Sequence, residues 1–380
     1  GLFVMGLAYH VVPRIFNRPI HYPVPQQLSM WLVISGLLAR FTGQTLDMLP
    51  IAGLLMAAGG ILLFIAMVVF GWTLYGVIRY SASKSGPAEI WLVVGVIWAV
   101  FSGMIHLAIT SRMAIQGAPL GHPPWNEALI YVAIFGFIMS FIFGISAKAI
   151  RGFLLLKPMH ERMNRLSLVM VQLGLVVVIV GRFGELGQVV APVGLILTSV
   201  GAGLFTVALR VLEPASKSVR RILVGYKRYG LYIRLGFCWL LIGCVMLILI
   251  ALDETGLTNI IAAQVSLPVI HVLTLGFVTN LIFGAASRFI PIFEGADIRY
   301  PHLMSAALVF LTISVVIRLV FGFSISEIGE RALGVSGVSG FIGIILFAIM
   351  IFQVMTQSAR DAYTTRVAAI GRVKLEMKRA

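Results

Sequence analysis

The chain has 380 residues, of which 59% are hydrophobic and only 11% charged, with a mean hydropathy of +1.01. A soluble domain of this length could neither hide that much apolar surface nor stay in solution on so few charges. The formal charge of +15 would suggest nucleic acid, but it sits in short loops between apolar runs, which argues against such a partner. Runs near or above the roughly 20 residues that cross a bilayer recur along the whole chain. They predict spans near 1–12, 26–40, 48–78, 89–111, 127–150, 166–182, 188–210, 231–252, 261–287, 303–321 and 333–357. The expected fold is an all-α polytopic membrane protein of about eleven transmembrane helices. The first run would rise only roughly 18 Å against a hydrocarbon core of about 30 Å, and no Met precedes it. The chain is therefore expected to open in mid-helix, with twelve or so helices at full length. Cys238 and Cys244 lie six apart on one apolar run and point in different directions, so neither a disulfide nor a metal pair is expected.

The loops alternate between two charge classes. One side collects Arg14, Arg18, the Arg79–Lys84 loop, Lys148–Arg165, Arg210–Arg234, Arg288, Arg299 and the tail from Arg360 onward. Of the 29 Lys and Arg, the other side holds only Arg40, Arg112, Arg182, Arg318 and Arg331. By the positive-inside rule the basic side and the C-terminus are cytoplasmic, in a bacterial inner membrane. The bilayer is the partner this pattern implies.

The chain also repeats. Ile130–Phe153 aligns without a gap on Ile270–Phe293, with Gly136, Phe137, Phe143 and Gly144 falling on Gly276, Phe277, Phe283 and Gly284. Shifted by 278 residues, Gly6, Pro13, Tyr22, Pro23 and Arg40 fall on Gly284, Pro291, Tyr300, Pro301 and Arg318. Leu, Ile and Val coincide by accident in apolar helices, whereas Gly, Pro and Arg in register do not. The repeat is about 140 residues, four helices, giving a first copy over 1–120, a second over 121–258 and a third over 259–358, then a basic cytoplasmic tail over 359–380. An even helix number makes the copies parallel, unlike the inverted repeats of many transporters.

Three parallel four-helix units in pseudo-threefold arrangement resemble the plan of the heme–copper oxidase catalytic subunit. Gly276–Gly295, GFVTNLIFGAASRFIPIFEG, resembles that subunit's tenth helix. The NnrS family, membrane proteins of the same helical plan tied to nitric oxide response, is closer still. HVLTLG from His271, with Arg288, resembles its third-unit signature. Leu235–Ile242 resembles its tyrosine/tryptophan helix, Ala147–Phe153 its middle-unit motif and Ala8–Arg18 the end of its first histidine helix. FEGA at Phe293–Ala296 departs from the family's His/Gly/Arg turn.

Of the seven histidines only His106 and His271 lie inside spans, where an ionisable group is costly and points to function. His21 and His160 are assigned to cytoplasmic loops, His10 and His302 to cytoplasmic helix edges, and His122 to an outer loop. The oxidase resemblance implies that His271 is an axial ligand of a b-type heme, its second-repeat equivalent being Tyr131 and its first-repeat equivalent falling before Gly1. The alternative is a neutral histidine hydrogen-bonded inside the bundle. His106 is a second candidate ligand, to heme or copper. Arg40, Arg182 and Arg318 each close a second helix on the outer side, where a guanidinium suits heme propionates or snorkels to the interface. His10, Lys148 and Arg288 end the three leading helices and read as cations opposing the helix dipole. Dioxygen reduction is disfavoured because 127–182 offers only His160 toward copper, and proton pumping because no acid lies in mid-membrane. Three functions remain: a heme-binding protein of NnrS type in nitric oxide response or membrane electron transfer; a heme–copper oxidase-like subunit of a quinol- or cytochrome-linked complex, with partner redox subunits; and a cofactor-free transporter or scaffold.

Overall fold

Hydrocarbon offers no water to satisfy backbone N–H and C=O groups, so a spanning segment must bond them internally, as a helix does. The computed structural model follows this rule. It describes residues 2–20, 24–46, 49–79, 86–116, 123–183, 187–213, 227–258, 266–323 and 326–379, and no strand occurs among them. The helices are α1 (Leu2–Ile15), α2 (Val24–Thr45), α3 (Ala52–Arg79), α4 (Pro87–Gln116), α5 (123–153), α6 (Glu161–Phe183), α7 (Gly187–Leu209), α8 (Lys227–Glu254), α9 (266–294), α10 (Pro301–Phe321) and α11 (Glu327–Arg379).

Among the described residues, nine of these, α3 to α11, are long and apolar enough to cross a bilayer. The two other expected spans fall short for different reasons. α1 is apolar but has only 14 residues. α2 has 22, but Gln26, Gln27, Arg40 and Gln44 lower its hydropathy. The helix expected to end near 357 instead continues through the basic tail to Arg379. Trp31, Trp72, Ile115 and Phe352 are each about two-thirds or more exposed on the helix exteriors, an arrangement that suits lipid and not water.

The chain divides into two compact bodies: Gly1–Ala215 with Leu241–Ala262, and Ser216–Leu240 with Ala263–Ala380. In the first body α2–α3, α3–α4 and α6–α7 pack as neighbours, and α4 also lies along α5. Its core is aromatic, with Phe70, Trp91, Phe135, Phe141, Phe143 and Phe205 fully buried. Below α7, Lys157 and Arg210 both bond Glu213. Chiefly the Arg210 hydrogen bond, then that of Lys157, holds the Glu213 carboxyl down at about 2. In the second body α10 pairs with α11, and α9 packs against both. Its lower end is closed by Gly295, whose positive φ forms a left-handed cap.

The same contacts recur about 140 residues apart. In the first body a Cβ added at Gly136 would lie 2.7 Å from Trp98 Cγ; in the second, one at Gly276 would lie 2.9 Å from Trp239 Cγ. Gly95 meets Phe141 and Ser140, as Gly236 meets Leu281 and Asn280. Trp91 donates to Asn164 at 3.0 Å, and Tyr232 donates to the Met304 carbonyl. Phe143 stacks on Phe205 with ring centroids 3.9 Å apart, and Phe283 on Phe347 at 3.8 Å. Polar partners, close glycines and stacked rings thus recur at about this spacing in the two bodies.

Candidate functional site

α5 and α9 are not uniform α-helices. Each turns π-helical directly after one residue of interest: Val132–Ile138 follows Tyr131, and Val272–Thr279 follows His271. A π turn bonds five residues back and leaves the α ladder locally mispaired. Side chains take up the displaced carbonyls, with Thr279 Oγ1 donating to the Thr274 carbonyl at 3.0 Å and Asn280 Nδ2 to that of Gly276 at 2.7 Å. Such widened turns are frequent at functional sites.

His271 is half-buried on α9. Its Nδ1–H donates to the Leu267 carbonyl at 2.8 Å, because a carbonyl can only accept. This bond selects the tautomer with the lone pair on Nε2, and no described residue bonds that nitrogen. Arg318 of α10 is near enough for its charge to act on His271, and its buried Nε has no hydrogen-bond partner among the described residues.

His106 is placed differently. It is buried on α4, and Arg40 Nη1 lies 3.0 Å from its Nδ1 and 2.9 Å from its Nε2. A guanidinium only donates, so the imidazole accepts and its lone pair is engaged by a cation. The sequence presented these two residues as separate candidates, one for a metal and one for a propionate; the fold makes them a pair. Arg40 Nε stays buried without a partner among the described residues.

Arg182 sits in a third setting. Its Nη2 donates to Glu254 at 2.7 Å, and its Nε lies 3.1 Å from Glu127, a contact with ion-pair distance but poor hydrogen-bond alignment. Tyr131 faces the same guanidinium. Two carboxylates already neutralise this arginine. Sequence reading kept every acid out of mid-membrane and assigned this arginine no carboxylate partner. The available signal was that all three residues fall at span ends between residues 121 and 258.

Two of the three cations expected to end the leading helices resolve into individual contacts. Lys148 forms an ion pair with buried Glu89 of α4. Arg288 lies over the Tyr229 ring at 5.8 Å. In the register that sets Trp98 on Trp239, Gly230 stands where Glu89 does, so the aromatic face of Tyr229 replaces the carboxylate. His21 and His122 lie outside the described residues. Among those described, no three His, Cys, Asp or Glu side chains gather to hold a metal ion.

A helical fold with apolar exteriors, polar residues turned inward and ion pairs at the helix ends defines a multi-pass membrane protein. Residues 152–356 match the model of a domain of unknown function, DUF8744, and because that is more than half of its length the chain belongs to this family. The match takes in His271, Arg182 and Arg318 and stops short of Arg40 and His106. No curated protein matches the chain.

Proposed function

We propose that the chain is a heme-binding integral membrane protein of NnrS type, acting in nitric oxide response or membrane electron transfer. The observation that carries this reading is the Nδ1–H bond from His271 to Leu267. Ligating histidines donate their second nitrogen in this way, which fixes the ring and raises its basicity. The residues fit the group in a second respect: Arg318 presents a buried Nε with no partner among the described residues, suited to a propionate. A heme held by His271 would supply an iron for a diatomic gas or for a one-electron relay.

The reading keeps His271 and Arg318 and sets the other candidates aside. His106 is engaged by Arg40, and Arg182 by two carboxylates. Copper has no assigned ligands. The repeated contacts support the oxidase-like plan of parallel four-helix units, and the charge asymmetry supports a bacterial inner membrane with the basic loops and C-terminus in the cytoplasm.

Absorption spectroscopy of the purified protein tests this. A low-spin b-type spectrum is expected, abolished or converted to high spin by His271→Ala and unchanged by His106→Ala. An unaltered low-spin spectrum in His271→Ala would overturn the assignment, and a protein free of any heme band would favour a transporter or scaffold.

A further inference from the structure

Two polar atoms in the second body are buried in mid-span without a hydrogen-bond partner among the described residues: Trp239 Nε1 on α8 and Asn280 Oδ1 on α9. Trp239 is 6% exposed and Asn280 not at all. Both belong to one backbone turn. The root of the Trp239 ring lies against Gly276, and Asn280 Nδ2 donates to the Gly276 carbonyl at 2.7 Å. That bond fixes the amide's orientation, since the carbonyl cannot donate, and leaves Oδ1 as an acceptor. The turn therefore offers one donor and one acceptor in a region where lipid can satisfy neither.

The first body shows what such a pair requires. There Trp98, aligned with Trp239, donates from Nε1 to Gln172 Oε1 at 2.6 Å. Gln172 Nε2 in turn reaches Ser140 Oγ at 3.4 Å, and Ser140 aligns with Asn280. The Gln172 amide thus accepts from the indole and donates to the residue on the leading helix. In the second body the residue aligned with Gln172 is Thr312, half-buried on α10 and with a side chain too short to repeat that bridge.

We propose that Trp239, Asn280 and Thr312 form a binding site for one water-sized hydroxylic molecule, water itself. It accepts from Trp239 Nε1–H and donates to Asn280 Oδ1, as the Gln172 amide does in the other copy, with Thr312 as the third polar wall. Buried waters take such places when several polar partners converge. Asn280 lies nine residues along α9 from His271, and the site does not depend on heme binding.

Water-edited NMR of the full chain in bilayers, with indole-¹⁵N tryptophan, tests the proposal. Trp239→Phe assigns the resonance. The Trp239 indole proton is expected to show a water cross-peak and the Trp98 proton none, so Trp98 is a control within the same molecule. Thr312→Gln supplies the missing amide and should erase the Trp239 cross-peak while the helical spectrum is retained. The wild-type spectrum alone decides if that variant does not fold: no water contact at Trp239, or an equal one at Trp98, overturns the proposal. A cross-peak that persists in a folded Thr312→Gln protein overturns it as well.

Discussion

Three arginines at similar places on second helices meet three different chemistries: an imidazole for Arg40, two carboxylates for Arg182, and His271 as the nearby group for Arg318. The difference is one of compensation, because a desolvated guanidinium is tolerated in proportion to the negative charge or acceptors around it. Arg182→Met would leave Glu127 and Glu254 facing each other without their cation. The three side chains are 20% (Arg182), 46% (Glu127) and 28% (Glu254) exposed, so the loss should fall between an exposed and a buried pair, about 2 kcal/mol. Thermal unfolding in detergent should show it, with Glu254→Gln milder; an Arg182→Met protein as stable as its parent would mean that solvent already screens the cluster. Sequence reading found these arginines but not their partners. Their membrane depth follows from span counting, whereas pairing Arg40 with His106 depends on how α2 and α4 rotate about their axes, which an all-round apolar helix does not encode.

At the scale of elements, helix number was legible and most limits to within several residues, because a 20-residue apolar run in lipid has one low-energy conformation; the run of the last helix to Arg379 and the shortfall of α1 and α2 as spans were not legible in that way. The π turns after Tyr131 and His271 were not, since the sequence shows neither the extra residue in the turn nor the side chains that cap it. The glycines beside them could be read as sites of close packing, though not with which partner. Both Gly136 and Gly276 prove to receive a tryptophan. Alanine at either would force its Cβ to within 3 Å of the indole root, where overpacking costs about 1–3 kcal/mol. Gly136→Ala and Gly276→Ala are therefore expected to lower the unfolding temperature by similar amounts. Gly152→Ala, with nothing within 4 Å of the added carbon, should leave it unchanged. Unequal penalties at the two tryptophan sites would mean that the matching contacts carry different loads in the two copies.

For the whole molecule, the repeat and the charge pattern constrain each other. If each copy has four helices, the chain returns to the same side of the membrane after each one; leading helices 140 residues apart would then point the same way, and the loops that follow them would share a compartment. Both leading helices, α5 and α9, end among cations, at Lys148 and Arg151 and at Arg288 and Arg299, and both have histidine or tyrosine near the opposite end. That agreement is what the positive-inside rule requires of parallel copies. It yields a prediction that heme content cannot influence. In a background with Cys238 and Cys244 replaced by alanine, a cysteine at Leu257, 74% exposed just beyond α8, should react with an impermeant maleimide added to whole cells. One at Leu155, 43% exposed just beyond α5, should react only after the membrane is opened. Labelling of both positions from outside, or of Leu155 alone, would break the parity on which the four-helix copies rest. The recurring contacts of Trp98 and Trp239 would then need an explanation other than a shared direction through the membrane.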